Sequence, residues 1–338
     1  MVERNINLNP WIDKYRPTKL DDIVSHDDIK MMLSYSVNKG DLPHLLFHGN
    51  SGTGKTSMIN VIVTQLYGDK LDSNVLELNA SDENGINVIR NKIIKFASIV
   101  VSKSTEKINT PSFKTIILDE ADAMTSEAQT ALKKVMEEMC EITRFVLICN
   151  YDNKIIDAIK SRCAIFRFSP ISNELMCNFL KKICINEKIN ISVDVLKTIV
   201  NISKGDARKA VNILQNTKYI KKKEILNKDV YDITSFVEPS FINKYWKHIL
   251  NTNIETINNV SMEIINTGYP MDNILNCIKN KVIKMKLSDK NISNIIIYIG
   301  KIERMINCCS DNYIQLLGLL TFIHCLNKGY EVDIPEIF

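Results

Sequence analysis

Two clusters of residues in this chain have the types and the spacing to handle a polyphosphate. The first is Gly49-Asn50-Ser51-Gly52-Thr53-Gly54-Lys55-Thr56-Ser57, which contains the pattern G-x-x-x-x-G-K-T. Glycines let a backbone wrap closely around an anion, so that successive N–H groups point inward at phosphate oxygens. Lys55 has the reach for the β and γ phosphates, and the Thr56 hydroxyl can ligate Mg²⁺. The second cluster is Asp119-Glu120, which ends the apolar run Thr115-Ile-Ile-Leu118. Asp119 there would hold Mg²⁺ through a water, and Glu120 would polarise an attacking water as general base.

Three further side chains extend this chemistry, each with a plainer reading beside it. Asn150 ends the apolar stretch Arg144-Phe-Val-Leu-Ile-Cys149, where an amide could meet a γ-phosphate or simply make a turn. Arg162, in Ser161-Arg-Cys163, is either a surface charge or a guanidinium that reaches a phosphate bound to a neighbouring subunit. Arg208, in Gly205-Asp-Ala-Arg208, stands at a predicted helix start, from which it could report bound nucleotide.

Elements must place these groups together. The run Leu45-Leu-Phe-His48 reads as a buried strand, and Met58, Ile59, Ile62, Val63 and Leu66 share one face of a helix after the glycine turn. Further strands are predicted at 74–79, 114–118, 144–150 and 164–168, with helices at 27–37 and 86–101 and a helix after Thr125. The last of these shows a capping-box spacing, Ser126-x-x-Gln129. Residues 102–113 read as a loop, and 9–17 as an extended arm that packs Trp11 and Tyr15 or lines a base. Strands alternating with helices indicate a three-layer α/β domain with a mostly parallel sheet. Beyond Pro170 the pattern turns helical, broken at Lys204-Gly205-Asp206 and followed by Lys221-Lys-Lys223. The expected domains are 1–170 (nucleotide-binding α/β), 171–235 (helical lid) and 236–338 (helical collar). The stretch from Ile314 to Cys325 is apolar almost all round, so it belongs against other helices.

Composition narrows the classes. With 338 residues, 45% of them hydrophobic, the chain can build a sizeable core in each of two or three domains. A net charge of +4 leaves nucleic-acid contact to local lysine patches. The nine cysteines are scattered without a C-x-x-C pair, so neither a disulfide framework nor a zinc pattern is expected. The first residues carry no leader pattern and no apolar run reaches bilayer length, so no membrane partner is expected.

Taken jointly, Trp11-Ile-Asp-Lys-Tyr-Arg-Pro17, the glycine-rich turn, Leu76-Glu-Leu-Asn-Ala-Ser-Asp82, Leu118-Asp-Glu-Ala-Asp-Ala-Met-Thr125, Ser161-Arg-Cys163 and Gly205-Asp-Ala-Arg208 resemble the small subunits of replication factor C. That family is the eukaryotic sliding-clamp loader, an AAA+ ATPase. Leu42-Pro-His-Leu-Leu46, Arg144 to Tyr151 and Phe166-Arg-Phe168 look most like the subunit called five in animals and three in budding yeast. The resemblance is dense over residues 9 to 215 and rests on length and helicity beyond.

The resemblance implies an AAA+ domain with sheet order 5-1-4-3-2, a lid, and a collar that closes a hetero-pentamer in the nucleus. It implies ATP and Mg²⁺ as cofactors, with Ile12, Arg16 and Val24 around adenine, Asn150 as sensor 1 and Arg208 as sensor 2. Arg162 becomes the finger inserted into the adjacent subunit. The other implied partners are the remaining replication factor C subunits, the sliding clamp PCNA and primer–template DNA. The DNA would be followed by Arg90, Lys92, Lys95, Lys133 and Lys134, although Lys133–Glu137 and Lys134–Glu138 also have the spacing of ordinary helix-surface pairs. Two departures stand out: Asn50-Ser51 where the family usually has Pro-Pro, and Asn84 where it usually has arginine. Two other functions stay open at this point, a subunit that binds ATP without hydrolysing it and a branch-migration-type AAA+ motor.

Overall fold

In this computed structural model the described residues are 10–81, 86–98, 111–220, 225–251, 253–308, 310–330, 332 and 334. Their contacts divide the chain into two compact units, 1–224 and 225–338.

The first unit opens with the short helix α1 (Trp11–Lys14), then α2 (Asp27–Lys39), strand β1 (Leu45–Gly49), α3 (Lys55–Tyr67), α4 (Leu71–Asn74) and β2 (Val75–Asn79). It continues through α5 (Ile86–Ser98), β3 (Lys114–Asp119), α6 (Ser126–Glu138), β4 (Thr143–Cys149), α7 (Asp157–Lys160) and β5 (Ala164–Phe168). The strands make one parallel five-stranded sheet in the order β2-β3-β4-β1-β5, which is the 5-1-4-3-2 order that the resemblance implies.

Side-chain alternation sorts each strand to two faces. Leu46, Ile116, Leu118, Phe145 and Leu147 share one core with Ile93 of α5 and Leu132, Val135 and Met136 of α6. Leu45, Phe47, Ile117, Val146 and Ile148 share another with Leu33 of α2 and Met58, Ile59 and Ile62 of α3. Because helices cover both faces, the strands read in the sequence as continuous apolar runs. The parallel arrangement puts the carboxyl ends of β1, β3 and β4 on one edge of the sheet, where ligands of open α/β folds lie.

Three helices follow in the same unit: α8 (Asn173–Asn186), α9 (Val193–Ser203) and α10 (Ala207–Ile220). Ser172 and Ser192 cap the first two, each accepting from a backbone N–H three residues on. The Lys-Gly-Asp break falls between α9 and α10, where Lys204 and Gly205 both take left-handed backbone.

Two local expectations are corrected. Residues 11–14 are helical, not extended, with Pro10 at the helix start, where its fixed φ suits the turn and its missing N–H costs nothing. Ser126 does not cap α6. Thr125 does, its hydroxyl accepting from Ala128 N, while the Gln129 amide binds Met124 O, Lys154 O and Ile156 N to anchor the following loop.

The second unit is helical: α11 (Asn227–Thr234), α12 (Pro239–Asn251), α13 (Ile254–Asn266), α14 (Met271–Val282), α15 (Asp289–Asn307) and α16 (Asn312–Asn327). The apolar helix foreseen near the C-terminus is α16, which packs against α12, α13 and α15 and buries Leu316, Leu319, Leu320 and Ile323. Its His324 is buried too, bonded through Nδ1 to Ile249 O at 2.8 Å. Helix α11 falls with this unit, since the contacts divide the chain after Glu224 and not after the expected boundary at 235. The Lys221–Lys223 run and Asn84 lie outside the described residues. Among the described residues no helix is long and apolar enough to cross a membrane, and the cysteines there are free.

Candidate functional site

The glycine-rich turn leaves β1 at Gly49, whose Cα lies so close to β5 that a Cβ would come within 2.2 Å of Phe168 O. Only glycine fits there. The turn runs into α3, whose first residue is Lys55. Lys55 Nζ donates to Gly49 O at 2.6 Å, to Asn50 O at 2.8 Å and to Asn150 Oδ1 at 3.0 Å. Thr56 Oγ1 donates to Asp119 Oδ2 at 2.9 Å. Glu120 takes left-handed backbone (φ 55°) and its N–H donates to Asp119 Oδ1 at 2.8 Å, which fixes the carboxylate. A non-glycine residue in that region stores strain, a feature that clusters at functional sites. Residues far apart in sequence are thus joined by hydrogen bonds along the carboxyl edge of β1, β3 and β4.

These groups line one cavity of about 300 Å³. Ser51 to Ser57, Asp119, Glu120, Asn150 and Arg208 form one group of its lining residues, and Ile12, Arg16 and Val24 belong to a second, more apolar group. Gly49 and Asn50 act differently from the expectation: they offer carbonyls to Lys55 and do not line the cavity. The sequence reading offered Tyr15 only within an arm that packs or lines a base, and did not single out Ser25, Met176, Phe179 and Val211, which also line the cavity. Three of these come from α8 and α10, where their helical spacing is indistinguishable from that of core residues.

The lining suits a nucleotide, with Lys55 in the glycine-rich turn and Thr56 beside Asp119. Burial pushes the Lys55 ammonium below its ordinary pKa, a shift that Asp119 opposes. Ser25 lines the cavity, and its buried Oγ has no hydrogen-bond partner among the described residues. Such a hydroxyl beside a cavity is a group that a ligand can satisfy.

The remaining expected residues lie elsewhere. Arg162 is not among the lining residues: its guanidinium donates to Ala158 O at 2.6 Å and to the Glu137 carboxylate of α6. Lys133 also pairs with Glu137, at 3.7 Å, and Lys134 is exposed. Lys92 and Lys95 are exposed on α5, which packs beside α6, and the side chain of Arg90 lies outside the described residues.

The sheet order, the glycine-rich turn and the Thr56–Asp119 and Lys55–Asn150 contacts define a nucleotide-binding P-loop ATPase of the AAA+ class. The RuvB Holliday junction branch migration motor of Thermotoga maritima shares the fold, with a TM-score of 0.53 over 75% of this chain and 80% of that one, at 16% identity. Three family descriptions match consecutive stretches: "DNA polymerase III, delta subunit" at 25–172, "RCF1/5-like, AAA+ ATPase lid domain" at 178–218 and "Replication factor C C-terminal domain" at 237–321. Human replication factor C subunit 5 is 41% identical over 92% of this chain and 90% of its own length. The replication factor C small subunit of Methanococcus vannielii is 40% identical over 92% and 97%, and subunit 4 of Arabidopsis thaliana 36% over 94% and 95%. This chain belongs to the replication factor C small subunits, and so to a multi-subunit AAA+ assembly.

Proposed function

We propose that this chain is an ATP-hydrolysing subunit of the clamp loader, which opens the ring-shaped clamp PCNA and places it on primer–template DNA. The observation that carries the reading is the single cavity where Lys55, Thr56, Asp119, Glu120, Asn150 and Arg208 meet. The backbone N–H groups of the P-loop and Lys55 would hold the phosphates, and the apolar group around Ile12 and Val24 would take the base. Thr56 and Asp119, hydrogen-bonded to each other, would hold Mg²⁺, which would supply charge neutralisation on the phosphates. Glu120 would orient and deprotonate the attacking water, from a left-handed backbone tied to Asp119 through its N–H. Asn150 and Arg208 would sense the γ-phosphate from the sheet and from the lid.

Arg162 is proposed to act in the neighbouring subunit's site. Its absence from its own cavity and its half-exposed, Glu137-held position support this reading. Exposed Lys92, Lys95 and Lys134, with Lys133, on adjacent helices favour phosphate contact without sequence readout, weakening steeply with salt. The proposed domains are 1–170, 171–235 and 236–338, with α11 grouped by its contacts with the last of them, and the proposed compartment is the nucleus.

Tagged chain purified from its own cells should bring four companion subunits and the clamp, with ATPase stimulated by primed DNA. A homo-hexamer of this chain alone would favour the branch-migration alternative, and a pentamer whose site binds but never turns over ATP would favour the structural one.

A further inference from the structure

The Trp11-Ile-Asp-Lys-Tyr-Arg-Pro17 segment contributes Ile12 and Arg16 to the cavity, but Lys14 and the Tyr15 hydroxyl have no part in the chemistry above. Both reach instead to Glu187, the residue that ends α8. Lys14 Nζ donates to Glu187 Oε1 at 2.5 Å and Tyr15 Oη to the same oxygen at 2.6 Å. From α10, Lys218 Nζ donates to Glu187 Oε2 at 3.3 Å and to its backbone O at 3.2 Å. The same lysine lies over the Trp11 ring, 5.0 Å from its centre, and Trp11 N donates to Gln215 Oε1 at 3.1 Å. One carboxylate thus gathers donors from α1 and α10 at the end of α8.

Its position matters because of what these three helices share. Ile12 and Tyr15 from the first segment, and Met176, Phe179 and Val211 from α8 and α10, all line the cavity. Helix α1 has four residues, too few to hold its shape without tertiary support. We infer that Glu187 is a positioning residue for the nucleotide: it clamps α1 to the lid and so builds the wall against which the base rests. The carboxylate is only 12% exposed, so water is a poor substitute for the donors it would lose. Burial alone would raise its pKa, yet the bonds from Lys14, Tyr15 and Lys218 prevail and hold it down at about 2. The clamp is therefore charged throughout the physiological range.

The inference rests on nucleotide occupying this cavity, and the test separates the two. Equilibrium binding of ATP and of inorganic tripolyphosphate is measured on the full chain, the second ligand having no base to rest on α1. Glu187→Gln should weaken ATP by about tenfold, roughly one charge-assisted hydrogen bond, and leave tripolyphosphate unchanged. Tyr15→Phe should lose part of the same affinity, and the double variant should lose no more than Glu187→Gln alone. A purely structural carboxylate would lower Tm and leave the ratio of the two affinities as in the wild type, which overturns the inference. So would unchanged ATP binding in both variants, and Tyr15→Phe alone decides if Glu187→Gln does not fold. If the wild-type chain itself bound no ATP, the functional reading would fall first.

Discussion

Substituting Gly52 by alanine tests the contact between the P-loop and the lid. Gly52 sits at φ 68°, and an added Cβ would lie 1.8 Å from Asp206 Oδ1 and 2.3 Å from its Cγ. That same Oδ1 accepts from Lys209 N at 2.9 Å as α10 begins, and Ala207 N donates to Gly52 O at 3.0 Å. Alanine in left-handed backbone costs about 1–2 kcal/mol. The carboxylate must also swing away and forfeit its cap, about 1 kcal/mol. The first unit should therefore lose about 2–3 kcal/mol in Gly52→Ala and about 1 kcal/mol in Asp206→Ala. The double variant should lose only about as much as Gly52→Ala, because the cap is gone in either case. The assay is equilibrium urea unfolding in a Trp246→Phe background, which leaves Trp11 as the one indole and makes it report the first unit. Wild-type stability of Gly52→Ala, or losses that add in the double variant, would contradict the packing of Asp206 against Gly52.

Further outcomes follow from the same geometry. Arg162→Ala should leave ATP binding at its own site intact and slow hydrolysis in the adjacent subunit, read by single-turnover kinetics in the assembled complex; lost binding at its own site would argue against action in trans. Burial pushes the Cys149 thiol up to about 12, so alkylation at pH 8 should spare it while exposed Cys140 and Cys308 react; mass spectrometry showing equal labelling would contradict the packing beside Asn150. Glu187, at about 2 against an ordinary 4.5, stabilises the fold fully above pH 4.5 and loses that contribution as pH falls toward 2. Acid titration of Glu187→Gln should accordingly show a shallower loss over that window, and an identical slope would remove Glu187 from the cause.

The sheet was legible because its strands are short apolar runs, three of them ending at or just before a chemically distinctive residue: Gly49, Asp119 or Asn150. Strand order was not, since periodicity says which residues are buried and nothing about which strands are neighbours; it came from the resemblance. The phosphate-binding side of the site was readable for the same reason as the strands. The apolar side was only half readable, because Met176, Phe179 and Val211 share the helical spacing of core residues, and Ser25 is an ordinary serine until its hydroxyl is seen to lack a partner. Glu187 gave no signal, as its donors are 173 and 31 residues away. Asn50-Ser51, the departure in the P-loop, is now partly explained. The Asn50 carbonyl accepts from both Lys55 and Thr53, a role that depends on the backbone and not on the side chain.

The most direct measurement is ATP binding and turnover at this one site in the reconstituted complex, with Lys55→Ala and Glu120→Gln placed only in this subunit. Lys55→Ala should abolish binding here, because the buried ammonium is the one side-chain cation hydrogen-bonded within the loop. Glu120→Gln should bind ATP as the wild type does and fail to hydrolyse it. Normal hydrolysis by both variants would contradict the assignment of the site.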